Sequence, residues 1–331
     1  MRALASLEHE DAFEVRASLA GGEPEALLRL AASILQATDS LWTEALADAA
    51  LRELGLPLPE LGWMDLPRIF RGAGLDIPVR AKGPEEALAR TLAGLEIELE
   101  GVDGLTVERV GVESRSLCLP TPGGARLAIP QGGGSSHRDL FRDVGCALAA
   151  ARVDSLPPEF LLRGFGGLFA QLTTDPDWLV EVGGMTAAES RARSAAFALR
   201  RLYFVRHHAA RILAEAERGR AAYEESYARH MSRALGVPVP GAASRLERAD
   251  LLWAIENLRG AMLASSLRQA LGPRWWADPS AKEKLHLLLA AAAEGEDALL
   301  AILGSEVIDV EPFVSEVRAA LGRSEAVAIL R

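Results

Sequence analysis

The stretch ARLAIPQGGGSSHRDLFRDVGCALAAAR, residues 125–152, decides the fold prediction because three structural signals follow one another within it. Residues 126–130 are mostly apolar and indicate a short strand. The glycines and serines of residues 131–136 indicate a loop that initiates a helix, with Ser135 or Ser136 as its N-cap. Apolar residues then recur at helical spacing, and they are Leu140, Phe141, Val144, Leu148 and Ala151.

A second face of this predicted helix carries Arg142 and Cys146, which are four residues apart and therefore lie side by side. Zinc peptidases place the motif H-E-x-x-H in such a setting. The two histidines of the motif bind the metal, and its glutamate activates the metal-bound water. Residues 142–146 of this chain read R-D-V-G-C instead. The spacing of the motif is present, but its chemical groups are replaced.

Residues 140–148, LFRDVGCAL, resemble the zinc oligopeptidase family of thimet oligopeptidase and oligoendopeptidase F, whose helix reads like L-F-H-E-x-G-H-A-L. The resemblance places Arg142 at the first histidine, Asp143 at the glutamate and Cys146 at the second histidine. Outside this helix it covers most of the chain in pattern more than in identity. It implies a mainly α, zincin-like oligopeptidase fold with a small antiparallel or mixed sheet beside the former active-site helix.

The family's third zinc ligand is a glutamate on the next helix, which residues 158–172, PEFLLRGFGGLFAQL, match. The ligand position falls on Leu162 or Arg163, depending on a shift of one residue in the alignment. Residues 252–259, LWAIENLR, match the segment that supplies the family's Tyr and His groups, but they contain neither residue type. The resemblance therefore implies a degenerate site without catalytic residues, bound metal or cofactor.

Arg142 argues most strongly against a zinc ion, because a guanidinium group stays charged and offers no lone pair. Two unit positive charges about 4 Å apart repel by about 4 kcal/mol even at an effective dielectric constant near 20. We expect Arg142 and Asp143 to form a local ion-pair network. The alternative is a pocket that binds an anion such as a peptide carboxylate. Cys146 and Cys118 are expected to be buried free thiols, with a redox pair or metal clip as the alternative.

The composition excludes some classes of partner. A formal net charge of −10 argues against nucleic acid, since phosphate neutralisation needs a basic face. The two cysteines do not make a disulfide framework, and the first residues lack an apolar signal sequence. No run of apolar residues reaches the roughly 18 that a membrane span needs. We therefore expect a cytoplasmic protein, and the oligomeric state stays open.

The rest of the chain is predicted to be helical and to form one domain, 1–331. Its parts are an N-terminal helical lobe (1–96), a small β region (97–135), and the former active-site helix with a C-terminal helical lobe (136–331). Strands are predicted at 105–112, 116–119 and 126–130. Helices are predicted at about 24–54, 65–72, 84–95, 137–153, 158–173, 186–235, 247–271, 279–293 and 311–321.

These patterns predict a catalytically inactive, metallopeptidase-like protein that binds a peptide or a partner protein in the former active-site cleft. The peptide would pair with an edge strand formed by Arg126, Leu127, Ala128 and Ile129. One alternative is an active zinc-dependent peptidase with a rearranged metal site, for example at His207, His230 and Glu224. Another is a structural subunit of a larger assembly.

Overall fold

A computed structural model describes residues 12–71, 78–80, 83–111, 115–131, 136–218, 222–247 and 250–328. The chain separates into two compact units. Unit 1 comprises 1–76, 195–258 and 314–331, and unit 2 comprises 77–194 and 259–313. Each unit is assembled from segments that are distant in the sequence. The predicted single domain with lobes 1–96 and 136–331 stays a prediction.

Helices form most of the described chain, which confirms the prediction of a mainly α protein. Within these residues, no helix has both the length and the apolar character needed to cross a membrane. In chain order the helices are α1 (Ala12–Leu19), α2 (Pro24–Leu54), α3 (Leu66–Ile69), α4 (Pro84–Gly94), α5 (His137–Ala150), α6 (Glu159–Leu172), α7 (Pro176–Glu181), α8 (Ala187–Ala216), α9 (Tyr223–Leu235), α10 (Leu251–Leu271), α11 (Pro279–Glu294), α12 (Glu296–Leu303) and α13 (Glu311–Ala328).

One predicted helix, 186–235, is wrong in its extent, because the structure has helices α8 and α9 in its place. Helix α8 ends at Ala216, and α9 begins at Tyr223. The intervening sequence contains Gly219, and glycine is a poor helix former. The loop 132–135 and residue 72 of the predicted helix 65–72 lie outside the described residues.

Unit 1 has a helical core that encloses the cation of Arg206. This side chain is almost fully buried, and it donates hydrogen bonds to the carbonyl oxygens of Leu35 and Ala234 and to the hydroxyl of Thr38. It also forms an ion pair with Asp39 at 2.7 Å. The buried guanidinium is thus satisfied by hydrogen bonds, as a charge in a protein interior must be.

Unit 2 contains a three-stranded mixed sheet in the order β1-β3-β2, which confirms the predicted small sheet. Its strands are β1 (Leu105–Val110), β2 (Leu117–Thr121) and β3 (Gly124–Pro130). Strand β3 pairs in parallel with β1 and antiparallel with β2.

The prediction of an edge strand at Arg126, Leu127, Ala128 and Ile129 is wrong. These residues belong to β3, which is the central strand and is hydrogen-bonded on both sides. Its backbone donors and acceptors are therefore already engaged within the sheet. Arg126 also pairs with Glu108 across β1 and β3. The outer strands of the sheet are β1 and β2.

Helix α5 lies against this sheet, as predicted. Leu127 and Ile129 of β3 are buried in the same core as Leu140 and Val144 of α5. The helix begins after Ser136, whose hydroxyl accepts a hydrogen bond from the backbone N–H of Asp139 at 3.1 Å. This N-cap satisfies a donor that a helix start otherwise leaves unpaired.

Helices α5 and α6 approach each other closely at two glycines. A Cβ atom at Gly145 would lie 2.4 Å from the carbonyl oxygen of Phe165. A Cβ atom at Gly166 would lie 2.6 Å from Sγ of Cys146 and 3.0 Å from the carbonyl oxygen of Arg142. A side chain at Gly145 would displace the backbone of α6, and one at Gly166 would displace the thiol of Cys146, so both glycines permit the close approach of the two helices.

We predict that Gly145→Ala lowers the free energy of unfolding by about 1–3 kcal/mol, the usual cost of overpacking a close contact. Gly322→Ala is the matched control, because Gly322 lies in helix α13 with nothing within 4 Å of its would-be Cβ. The control is expected to be neutral or up to about 1 kcal/mol more stable, since alanine favours helix. Urea unfolding measures both, and a Gly145→Ala protein as stable as wild type contradicts the prediction.

Candidate functional site

The face of helix α5 that corresponds to the peptidase motif carries a polar network. Asp143 is almost fully buried, and its Oδ1 accepts hydrogen bonds from Nε and Nη2 of Arg142 at 3.0 and 2.9 Å. Its Oδ2 accepts a hydrogen bond from Oγ of Ser116 at 2.7 Å. Ser116 directly precedes strand β2, so Asp143 connects the helix to the sheet.

Arg142 extends the network towards solvent, with 51% of its side chain exposed. Its Nη1 donates to Oδ1 of Asp139 at 3.1 Å, so all three guanidinium nitrogens contact a carboxylate. This is the ion-pair network expected from the sequence. A guanidinium that already binds two carboxylates is poorly suited to the alternative, an anion-binding pocket.

Burial has the largest effect on the pKa of Asp143. It raises the pKa of this carboxyl group above the usual value, although the hydrogen bond from Ser116 and the charge of Arg142 act in the opposite direction. Both carboxylate oxygens are engaged. Oδ1 accepts two hydrogen bonds and Oδ2 accepts one, so most of the acceptor capacity of Asp143 is used within the protein.

Cys146 of helix α5 lies in contact with the backbone of Leu162 in helix α6. The thiol of Cys146 donates a hydrogen bond to the carbonyl oxygen of Leu162 at 3.2 Å. Burial, together with the nearby Cys118 and Asp143, raises the pKa of Cys146 to about 12. The sulfur is therefore a neutral thiol at neutral pH.

Cys118 lies on strand β2 and is a free, half-buried thiol like Cys146. Burial and the negative charges of Asp143 and Glu159 raise its pKa to about 12. Reactive cysteines instead have a lowered pKa in an electropositive setting. Neither thiol has the environment of a nucleophile.

Arg163 occupies a different place from Leu162. It forms an ion pair with Glu159 at 2.9 Å, and its Cβ lies 2.5 Å from the position of a Cβ built at Gly260 of helix α10. Arg163 is thus directed towards α10, and Leu162 is the residue that contacts Cys146. Because the thiol of Cys146 contacts the backbone carbonyl of Leu162 and not its side chain, the choice between Leu162 and Arg163 as the third position stays a prediction.

Three residues of this site, Ser116, Asp139 and Glu159, were not predicted. Ser116 lies 27 residues before Asp143 in the sequence, and no local pattern links the two. Glu159 had a usable signal, because it precedes Arg163 by four residues and such pairs meet on a helix.

The groups at this face do not fit a zinc ion. Arg142 is a cation whose guanidinium offers no lone pair to a metal, and Leu162 is apolar. Both oxygens of Asp143 are hydrogen-bonded. Within the described part of the chain, no group of three or more His, Cys, Asp or Glu residues is arranged to hold a metal ion.

The alternative metal site is also not assembled. Nε2 of His207 lies 2.9 Å from Glu247, and Nε2 of His230 lies 3.1 Å from Glu217. Glu224 pairs with Arg245 at 2.7 Å. Each of the three proposed ligands thus has a separate counterpart within unit 1.

Comparison with known proteins gives a similarity to solved structures. No protein-family model matches the sequence, and a search of curated proteins found no match. Among solved structures, the chain is similar to Trypanosoma cruzi metallocarboxypeptidase 1, with 15% sequence identity and a TM-score of 0.47. The alignment covers 93% of this chain and 79% of that chain.

We predict that Cys118 and Cys146 react with iodoacetamide at pH 8 on the order of 100- to 1,000-fold more slowly than an unhindered thiol, because a pKa near 12 leaves little thiolate. Mass spectrometry of the alkylated peptides measures each rate. The same protein in urea is the control, and both cysteines should then react at ordinary rates. Rapid alkylation of either cysteine in the folded protein contradicts the assigned environment.

Proposed function

We propose that this chain is a catalytically inactive, zincin-like pseudopeptidase that binds an extended peptide beside helix α5. One observation carries the proposal. The thiol of Cys146 donates to the backbone carbonyl of Leu162 at 3.2 Å, so two positions that match zinc ligands lie close together, while the third position, Arg142, holds a cation bound to the carboxylate of Asp143. These contacts support the interpretation of a metal site whose chemical groups have been replaced.

The loss of catalysis follows from the replaced groups. Zinc peptidases need three donors that hold the ion and leave one position open for water. Here a dication would meet the charge of Arg142 and no deprotonated donor that is free to bind it. Restoring one residue does not solve this, because the other positions still lack a lone pair or a negative charge.

Strand β2 is the surface that suits a peptide. It is hydrogen-bonded to β3 on one side, and on its other side no strand of the described chain pairs with it. Such an edge offers backbone donors and acceptors that an extended peptide can engage. We therefore place the bound peptide along strand β2, residues 117–121, and not along residues 126–129 of the central strand β3.

Two leucines on β2 add apolar contacts at this edge. Leu117 and Leu119 are two residues apart, so they point to the same face of the sheet. They are 59% and 52% exposed, whereas Cys118 between them faces the helix side and is half-buried. Alternate side chains of a bound peptide would pack on these leucines, which gives the preference for an apolar residue at every second position.

Binding of fluorescein-labelled peptide libraries, measured by anisotropy, tests this surface. Leu117→Lys/Leu119→Lys is expected to weaken binding by about tenfold or more, equivalent to ~1.4 kcal/mol, because it removes the apolar contacts. The control is Leu156→Lys/Leu287→Lys, two leucines of unit 2 with 62% and 59% exposure. The control should bind like wild type. Equal loss in both variants, or no peptide binding to wild type, contradicts the proposal.

Metal content tests the loss of catalysis independently of peptide binding. Protein purified without a His tag or chelator is expected to contain less than about a tenth of an equivalent of zinc and to hydrolyse no peptide. Elemental analysis by mass spectrometry measures the zinc. A content near one equivalent with peptide hydrolysis would establish the active peptidase instead.

Rebuilding the ligands tests whether the spacing of the site persists. The variant Arg142→His/Asp143→Glu/Cys146→His/Leu162→Glu is expected to bind about one equivalent of zinc, since it supplies three ligands at matching positions. The same variant with Leu162 retained has one ligand fewer and should bind zinc more weakly. Circular dichroism verifies that both are folded. Folded protein that binds no zinc in either form contradicts the inherited spacing.

A further inference from the structure

Unit 2 contains a cavity of about 890 Å³ that is separate from the face of helix α5 described above. Helix α4, the 3-10 turn Leu99–Gly101, strand β1 and helix α11 contribute to its walls. None of Arg142, Asp143 and Cys146 lines it. Its volume lies within the range of roughly 300–1,000 Å³ that is typical of ligand sites.

The floor of the cavity is apolar. Leu88, Leu92, Leu99 and Ile129 line it, and each of these side chains is at most 6% exposed. These residues belong to the core that also holds helix α5 against the sheet. A ligand in the cavity would therefore meet a rigid apolar surface.

The walls of the cavity carry an excess of negative charge. Five carboxylates line it, against two arginines, Arg109 and Arg152. Arg109 is already engaged by two of the carboxylates, Glu100 at 3.2 Å and Glu85 at 3.6 Å. A third, Glu96, pairs with Lys282 at 2.5 Å.

Two of the carboxylates, Glu98 and Asp103, are exposed and form no ion pair with any described residue. Burial and the charges of Arg152 and Lys282 lower the pKa of His286, so its ring adds no positive charge to the cavity at neutral pH. The cavity thus combines an apolar floor with two carboxylates that are available to a cation.

We propose that this cavity binds a basic segment of a partner protein, with a lysine or arginine side chain against Glu98 and Asp103 and an apolar side chain on the floor. Charge complementarity selects a cation, and the apolar floor selects a peptide over a free polyamine, which has no apolar side chain to bury. This site is additional to the edge strand β2 proposed for peptide binding.

The test uses the full chain and the labelled hexapeptide LKLKLK, with LELELE as the peptide of opposite charge. The variant Glu98→Gln/Asp103→Asn is expected to weaken LKLKLK binding by about three- to tenfold, since each exposed charge contact is worth up to ~1 kcal/mol. Arg152→Gln is expected to tighten binding by about two- to threefold, because it removes a like charge from the wall. LELELE should bind neither wild type nor these variants at this site.

Glu294→Gln/Glu306→Gln is the matched control, because it removes the same net charge from two exposed positions that do not line the cavity. It should bind LKLKLK like wild type. LKLKLK has the alternating pattern proposed for strand β2 as well, so the comparison is repeated in Leu117→Lys/Leu119→Lys. Binding that remains in this variant, and that is still weakened by Glu98→Gln/Asp103→Asn, belongs to the cavity.

Three results would overturn the proposal. The first is that Glu98→Gln/Asp103→Asn and Glu294→Gln/Glu306→Gln weaken LKLKLK binding equally, because the effect would then depend only on the net charge of the protein. The second is a loss of LKLKLK binding in Leu117→Lys/Leu119→Lys alone, which places the peptide on β2. The third is saturable binding of spermidine, sensitive to Glu98→Gln/Asp103→Asn, without binding of LKLKLK, which assigns the cavity to a free amine.

Discussion

The close approach of helices α5 and α6 is the constraint on which the rest of unit 2 depends. Gly145 and Gly166 let the two backbones meet at distances that a single added methyl group would forbid. This approach brings Cys146 to the carbonyl of Leu162 and fixes where Arg142 and Asp143 can lie. Close packing of this kind leaves little room for adjustment, so the relative positions of these side chains follow from the backbone.

The buried carboxylate of Asp143 is the second determinant of this site. A charge in a protein interior is tolerated only when it is paired and hydrogen-bonded, and Asp143 meets this condition through Arg142 and Ser116. Removing either counterpart would leave a buried acceptor unsatisfied. Arg142, Asp143 and Ser116 are therefore interdependent, and a change at one of them affects the other two.

Much of unit 2 was predictable because local patterns specify it. Helical spacing of apolar residues located α5 and α6, and the motif spacing located Arg142 and Cys146. The central position of β3 was missed, since strand order depends on pairing between distant segments. A signal was present in ARLAI, whose nearly continuous apolar character is typical of a strand buried within a sheet. The contact between Ser116 and Asp143 had no local signal, because it joins segments 27 residues apart.

The half-buried thiol of Cys118 can be used to follow local opening of the sheet. Strand β2 is held by β3 on one side and by the link from Ser116 to the helix, so it is less constrained than the central strand. Local opening of an outer strand occurs at a lower free energy than global unfolding. Each such opening exposes the sulfur to solvent and restores its ordinary acidity. Cys118 is thus a built-in probe whose modification kinetics report the opening equilibrium of this strand in the native state.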